Sequence, residues 1–228
     1  MDPNALTRLQ SSYDRVADEY ARRIYDELNH KPLDRQLLDK LAERLANKGI
    51  ICDMGCGPGH VARYLHERGA HVMGIDLSAG QVEQARRLNP GIEFKQGNML
   101  ALDAPDGAWA GIAAFYSIIH IPRPEVVSAL QALERTLQPG GLLLLAFHIG
   151  DEVVHLDEWW GEPVCADFIF FMPDEMAGYL ETAGFDVEEA IERPPYPNVE
   201  HQSKRAYILS RKQGAGSLKS KRRWTPSC

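Results

Sequence analysis

Residues 51–65 read ICDMGCGPGHVARYL, a short apolar run, then glycines at 55, 57 and 59, then apolar residues at helical spacing. A strand that turns through glycines into a helix opens a β-α unit, and that unit decides the fold class. Three glycines at every second position remove three Cβ atoms from one turn, as is needed where something flat or charged must approach the backbone closely. The rest of the chain has to say what that something is.

Downstream the same alternation repeats. Apolar runs predict strands over 50–54, 71–75, 92–95, 111–116 and 142–147, with helices over 60–68, 79–88 and 125–136 between them. Strands alternating with helices give an α/β fold, a parallel sheet covered on both faces. Upstream the pattern is helical over 6–28, and a second helix carries Leu37, Leu38, Leu41 and Leu45 before Gly49 closes it. Beyond the acidic, Trp-rich stretch DEVVHLDEWWGEP at 151–163, a helix over 173–183 stops at Gly184. Strands over 185–191 and 205–210 follow with no room for a crossover helix, so they should pair antiparallel. Residues 213–228 are rich in glycine, serine and lysine and read as a disordered tail, leaving 1–212 as a single domain.

The balance of 25 basic and 32 acidic residues, net −7, argues against a nucleic-acid footprint, which would show as a basic face. No run reaches the roughly 20 apolar residues of a membrane span. The N-terminus lacks the basic-then-apolar pattern of a secretory signal, so the expected location is cytoplasmic. Cys52, Cys56, Cys165 and Cys228 are scattered without zinc spacing and read as small buried hydrophobes; no metal is implied.

Three readings of the glycine loop compete. A phosphate-cradling loop needs Gly-Lys-Ser/Thr, whereas Gly59 is followed by His60 and Val61. A dinucleotide fingerprint needs its third glycine at position 60, and an NAD(P)-dependent oxidoreductase stays as the alternative only with that departure. The third reading is D-x-G-x-G-x-G, met as Asp53, Gly55, Gly57 and Gly59. With it the chain resembles the class I S-adenosylmethionine-dependent methyltransferases, in particular the small-molecule "type 11" kind, over roughly residues 10 to 212. The resemblance implies a Rossmann-like three-layer sandwich with a seven-stranded, mostly parallel sheet whose last strand is antiparallel. It implies S-adenosylmethionine as cofactor and S-adenosylhomocysteine as product, with the loop backbone at Gly55 and Gly57 touching the methionine end and Asp53 ordering the loop.

Further motifs occur in the family's order. Asp76 ends the run HVMGID, where a carboxylate can accept from the vicinal hydroxyls of a ribose, and Leu77 would pack on the adenine. Ser78 and Gln81 make a capping-box pattern, so Asp76 is not needed as a cap. In QGNML, Asn98 stands where family members often carry Asp, its amide oxygen still able to accept from the adenine amino group, and Met99 would offer its backbone to a ring nitrogen. Phe115 and Tyr116, followed by Ser117, would line the methionine end. The nucleic-acid amino-methyltransferase signature N-P-P-Y is missing here; the PPY at 194–196 follows a later strand.

Methyl transfer from a sulfonium asks the protein mainly to align, to exclude water and, for some acceptors, to take a proton. His120 and His148 each follow a strand end where ligands of open sheets collect, and both are candidate bases; backbone capping is the other reading of His120. Tyr13 and Tyr20, in YDRVADEY, share a helix face, and small methyltransferases often fold a similar element over the cofactor, which makes residues 1–48 a lid on a cofactor-binding core at 49–148. Trp159, Trp160, Phe168, Phe170 and Phe171 would either wall an aromatic or apolar small-molecule acceptor or pack as core, within an acceptor-side region at 149–212. The protein is expected to be a monomer or a homodimer. A methyltransferase-like protein that binds without catalysing is the non-enzymatic alternative.

Overall fold

Side chains along β1 (Ile50–Met54) alternate between two cores: Ile51 enters one and Cys52 the other. The same alternation runs through β5 (Leu137–His148), where Leu142, Leu144 and Ala146 face one side and Leu143, Leu145 and Phe147 the opposite one. A sheet apolar on both faces needs a helical layer on each. The computed structural model describes residues 2–214 and shows that arrangement. With β2 (His71–Asp76), β3 (Glu93–Gln96), β4 (Trp109–Phe115), β8 (Phe185–Arg193) and β9 (Arg205–Lys212), the seven-stranded sheet has the order β3-β2-β1-β4-β5-β9-β8. Only β9 is antiparallel to its neighbours, as expected.

Leucines of α3 (Pro32–Arg44) and the apolar face of α4 (His60–His66) cover one side, where α5 (Ala79–Leu88) joins a third cluster with Phe94. On the other, α6 (Arg123–Thr136) and α7 (Pro173–Thr182) supply Val126, Leu130, Leu133, Met176 and Leu180. The strand order reverses between β1 and β4, which opens a crevice at their carboxyl ends.

The structure departs from the sequence reading in four places. The helix expected over 6–28 is broken into α1 (Pro3–Arg15), α2 (Ala17–Ile24) and a 3-10 turn, bending at Val16, whose ψ is 4°. Side chains just before that bend are held from outside the helix: Ser12 Oγ accepts from the Cys165 N–H at 2.8 Å and Asp14 accepts from the Gly80 N–H at 2.8 Å. The acidic Trp-rich stretch, given no element, forms a hairpin of β6 (Val153–Trp159) and β7 (Glu162–Ile169). Its two-residue turn is Trp160-Gly161 with φ of 56° and 87°, and tryptophan at a left-handed position hides a turn that Asn-Gly would have announced. β5 begins before Pro139-Gly140-Gly141 rather than after it. Cys165 is only half-buried on β7, unlike Cys52 and Cys56, while Cys228 lies outside the described residues. So does the tail from residue 215 on; Gln213 at its start donates from its backbone to the Gly184 carbonyl at 2.9 Å. No helix among the described residues is long and apolar enough to cross a membrane.

Candidate active site

The crevice holds a pocket that gathers most of the residues singled out from the sequence: Tyr13, Tyr20, Gly55, Gly57, Asp76, Leu77, Asn98, Met99, Phe115, Tyr116 and His120. Asp53, Gly59 and His148 are not among its walls. The reasons are physical in each case.

The glycines divide by what stands next to them. A Cβ on Gly55 would lie 2.3 Å from the Cβ of Ser117, whose hydroxyl donates to the Met54 carbonyl at 2.7 Å. A Cβ on Gly59 would lie 2.7 Å from the Phe94 ring. Both therefore make room for the protein itself, which corrects the expectation that the loop was cleared for a ligand alone. Gly57 is different: the nearest atoms to its missing Cβ are Tyr20 at 3.5 Å and Gln81 at 3.8 Å, ordinary contacts, and its backbone at φ 51° borders the pocket. Asp53 sits behind the loop, accepting from the Ala62 N–H at 2.9 Å and so tying the loop to α4; burial pushes its carboxyl up to about 7.

Asp76 uses one oxygen to accept from the Gly57 N–H at 2.8 Å and the other from the Ser78 N–H at 2.9 Å. It is thus a turn-forming residue after all. Ser78 Oγ accepts from the Gln81 N–H at 3.0 Å, but the Gln81 amide donates to the Tyr13 carbonyl at 3.4 Å instead of returning to Ser78, so the capping box is half made. Each Asp76 oxygen keeps lone pairs toward the pocket, and burial raises its carboxyl to about 6. Asn98 Oδ1 accepts from the Leu100 N–H at 2.9 Å, the turn role, which leaves that oxygen able to accept once more.

His120 has a defined tautomer. Its Nδ1 lies 2.8 Å from the Asp167 carbonyl of β7, which can only accept, so Nδ1 carries the proton. Burial pushes the imidazole down to about 4, leaving a neutral ring whose Nε2 lone pair receives the Tyr13 hydroxyl at 2.8 Å. His148 instead stacks on Phe170 at 4.8 Å, and its Nδ1 is paired with Ser203 Oγ at 2.8 Å. Burial, reinforced by the nearby Arg205, pushes it down to about 3. The structure keeps one candidate base at the pocket and places the other beside it.

Two contributors escaped the sequence reading. Leu6, Leu9 and Gln10 of α1 line the pocket on the same face as Tyr13, and the i, i+3, i+4, i+7 spacing of the four was a readable signal. Behind Tyr116 lies a buried ionic network. Lys31 pairs with Glu27 at 2.8 Å, Arg193 with Asp34 at 3.1 Å and Arg205 with Glu200 at 3.0 Å, while Tyr207 donates to Asp34 at 2.8 Å and meets the Tyr116 hydroxyl at 3.1 Å. Its members are scattered from residue 27 to 207, and no local motif could have shown it.

Comparison with known proteins gives the chain its family. A methyltransferase-domain model matches residues 51–141. The chain is 30% identical over 213 residues to the ubiquinone biosynthesis O-methyltransferase of Xylella fastidiosa, covering 79% of this chain and 85% of that protein. It belongs to the S-adenosylmethionine-dependent methyltransferases. It is also 28% identical to the malonyl-[acyl-carrier protein] O-methyltransferase of Enterobacter lignolyticus, over 70% of this chain but only 61% of that relative's length. In three dimensions the DhpI–SAH complex matches 93% of this chain and 99% of its own with a TM-score of 0.69 at 20% identity, a likeness of fold.

The residues present fit the family's cofactor. Asp76 offers two oxygens with lone pairs to spare, which suit the paired hydroxyls of a ribose, and the backbone of Gly55 and Gly57 forms the pocket wall where the amino-acid end would lie. Behind the loop, 3.8 Å from where a Cβ on Gly57 would stand, Gln81 Oε1 is buried with no hydrogen-bond partner.

Proposed function

We propose that this protein is an enzyme that transfers a methyl group from S-adenosylmethionine to a small-molecule acceptor, with His120 as the proton acceptor. The observation that carries the reading is the juxtaposition, in one pocket, of the Gly57–Asp76 hydrogen bond and the inward Nε2 lone pair of His120. S-Adenosylmethionine supplies an electrophilic methyl group on a sulfonium. Asp76, with Leu77, Asn98 and Met99 beside it, would hold the nucleoside, and Gly55, Gly57, Phe115 and Tyr116 would hold the methionine end.

Tyr13 and Tyr20 meet edge to face at 5.8 Å over this region and belong to the lid formed by α1 and α2, which excludes water. Asp14 pins that lid to α5 by accepting from Ser78 Oγ at 2.5 Å and from the Gly80 N–H. His120, oriented by the Asp167 carbonyl, accepts the proton that an acceptor hydroxyl must lose, and its Nδ1–H keeps the ring in place as it becomes positive. His60, in contact with Glu27 at 3.3 Å, fills the position where a dinucleotide fingerprint would have its third glycine.

Calorimetric titration with S-adenosylmethionine, S-adenosylhomocysteine and NAD tests the reading. Saturable binding of the two sulfur ligands without NAD is the expected result, and binding of NAD alone would overturn it.

A further inference from the structure

The acceptor side of the pocket is marked by a group that already behaves as an acceptor molecule would. Tyr13 brings a phenol to His120 Nε2 at 2.8 Å, and that phenol is ringed edge to face by Trp159 at 5.6 Å, Tyr20 at 5.8 Å and the His120 ring at 5.4 Å. Phe168 approaches His120 from the hairpin at 4.9 Å. We infer that the acceptor is itself a phenol, whose hydroxyl bonds to His120 Nε2 in the place held here by the Tyr13 hydroxyl. This rests on the reading of the pocket as a methyl-transfer site and narrows it to a substrate class.

Three features favour that occupant. Because the Asp167 carbonyl fixes the proton on Nδ1, Nε2 presents a lone pair, and a lone pair selects a group with a proton to give. A carboxylate has none and would set two acceptors against each other. The neighbouring side chains are rings in edge-to-face order, an arrangement that adds to plain apolar burial only when the guest is aromatic, so an aliphatic alcohol forgoes it. Finally, Tyr13 can yield without unfolding the lid, since α1 is held through Ser12, Asp14 and Arg15, the last donating to the Pro163 carbonyl at 3.1 Å, and not through the phenol alone.

The test uses the full chain, first saturated with S-adenosylhomocysteine in the calorimeter, then titrated with 2-naphthol, 2-methoxynaphthalene, 2-naphthoate and cyclohexanol. In the wild-type protein 2-naphthol should bind about tenfold tighter than its methyl ether, the gain of one well-formed hydrogen bond. Naphthoate and cyclohexanol should be weaker still. Tyr13→Phe, which removes the internal competitor, should tighten naphthol binding about fivefold, and His120→Leu should erase the preference for naphthol over the ether. Equal binding of naphthol and ether, tighter binding of naphthoate or cyclohexanol, or no naphthol binding to protein loaded with S-adenosylhomocysteine would each overturn the proposal, and the wild-type panel decides even where a variant fails to fold. Failure of the S-adenosylhomocysteine titration itself would instead remove the donor reading, and the acceptor proposal with it.

Discussion

The two halves of the pocket are built differently. On the half proposed to hold the donor, β1, β2 and the glycine loop bring Gly55, Gly57 and Asp76 together within 22 residues of sequence, fixed by bonds such as that from the Gly57 N–H to Asp76. On the half proposed to take the acceptor, Tyr13 of α1, His120 after β4 and Asp167 of β7 meet across separations of more than 100 and 40 residues. A donor common to a whole family can be gripped by one local motif, whereas an acceptor is chosen by loops that differ between members. Mutation should separate the halves: changes on the first should reach stability and donor affinity, and changes on the second the acceptor alone.

The largest effect is expected at Gly55. Alanine there meets Ser117 at 2.3 Å and holds φ at 75°, so strain and overpacking together should lower stability by roughly 2 to 5 kcal/mol. Gly57→Ala, with no contact closer than 3.5 Å, should lose only the conformational part, about 1 to 2 kcal/mol. Urea denaturation of both variants measures the gap, and equal losses would deny that the two glycines serve different ends. Asp76→Ala comes next, weakening S-adenosylhomocysteine binding by about 1 to 3 kcal/mol in calorimetry while acceptor contacts stay intact. Wild-type affinity in that variant would remove the ribose assignment.

Acid should probe the boundary between the halves. The folded imidazole of His120 titrates near 4, below its ordinary 6.5, so the fold favours the neutral ring. Its contribution to stability is present above pH 6.5 and is lost as the pH falls from 6.5 toward 4. Asp53 and Asp76, raised to about 7 and about 6, act with the opposite sign, their contributions fading as the pH rises above the ordinary carboxylate range. The wild-type profile therefore mixes these three with His148, which is also pushed down, and the difference between wild type and His120→Gln isolates the His120 imidazole. That difference should shrink by on the order of 1 to 2 kcal/mol on acidification, read by urea midpoints. A smaller effect is expected from Trp159→Ala, which removes the ring contacts to Tyr13 and Tyr20 at 5.6 and 5.5 Å. Acceptor KM should rise about fivefold, near 1 kcal/mol, with donor affinity within about twofold of wild type.

The same division explains what could be read beforehand. The α/β alternation, the antiparallel last strand and the Asp53-to-Gly59 loop were legible because strand-turn-helix units and glycine spacing are local patterns. Even there the reason for a residue was less legible than its presence: nothing at position 55 announces Ser117, which lies 62 residues further on. The hairpin escaped because the inner face of β6 is only half-buried and its alternation breaks at a register shift between Leu156 and Glu158, so the period-2 signal is short. The choice between His120 and His148 escaped because both follow strands, and only the chain crossing back at Asp167 and Ser203 separates their surroundings. A bond to a main-chain carbonyl leaves no trace in residue identity.

Asn98 gives the finest test of the donor half. Its Oδ1 is engaged by the Leu100 N–H at 2.9 Å, a bond that an aspartate oxygen would make equally well, so Asn98→Asp should leave the turn and the stability unchanged. The substitution exchanges the side-chain NH2 for a second acceptor oxygen, better matched to an adenine amino group but costlier to desolvate at a half-buried site. The two terms oppose each other, and donor affinity should move by less than about threefold, under 1 kcal/mol. A tenfold gain would mean that the adenine amino group is read by this side chain alone. A tenfold loss would mean that the amide NH2 is the group in contact, and that the nucleoside sits against Asn98 as an acceptor rather than as a donor.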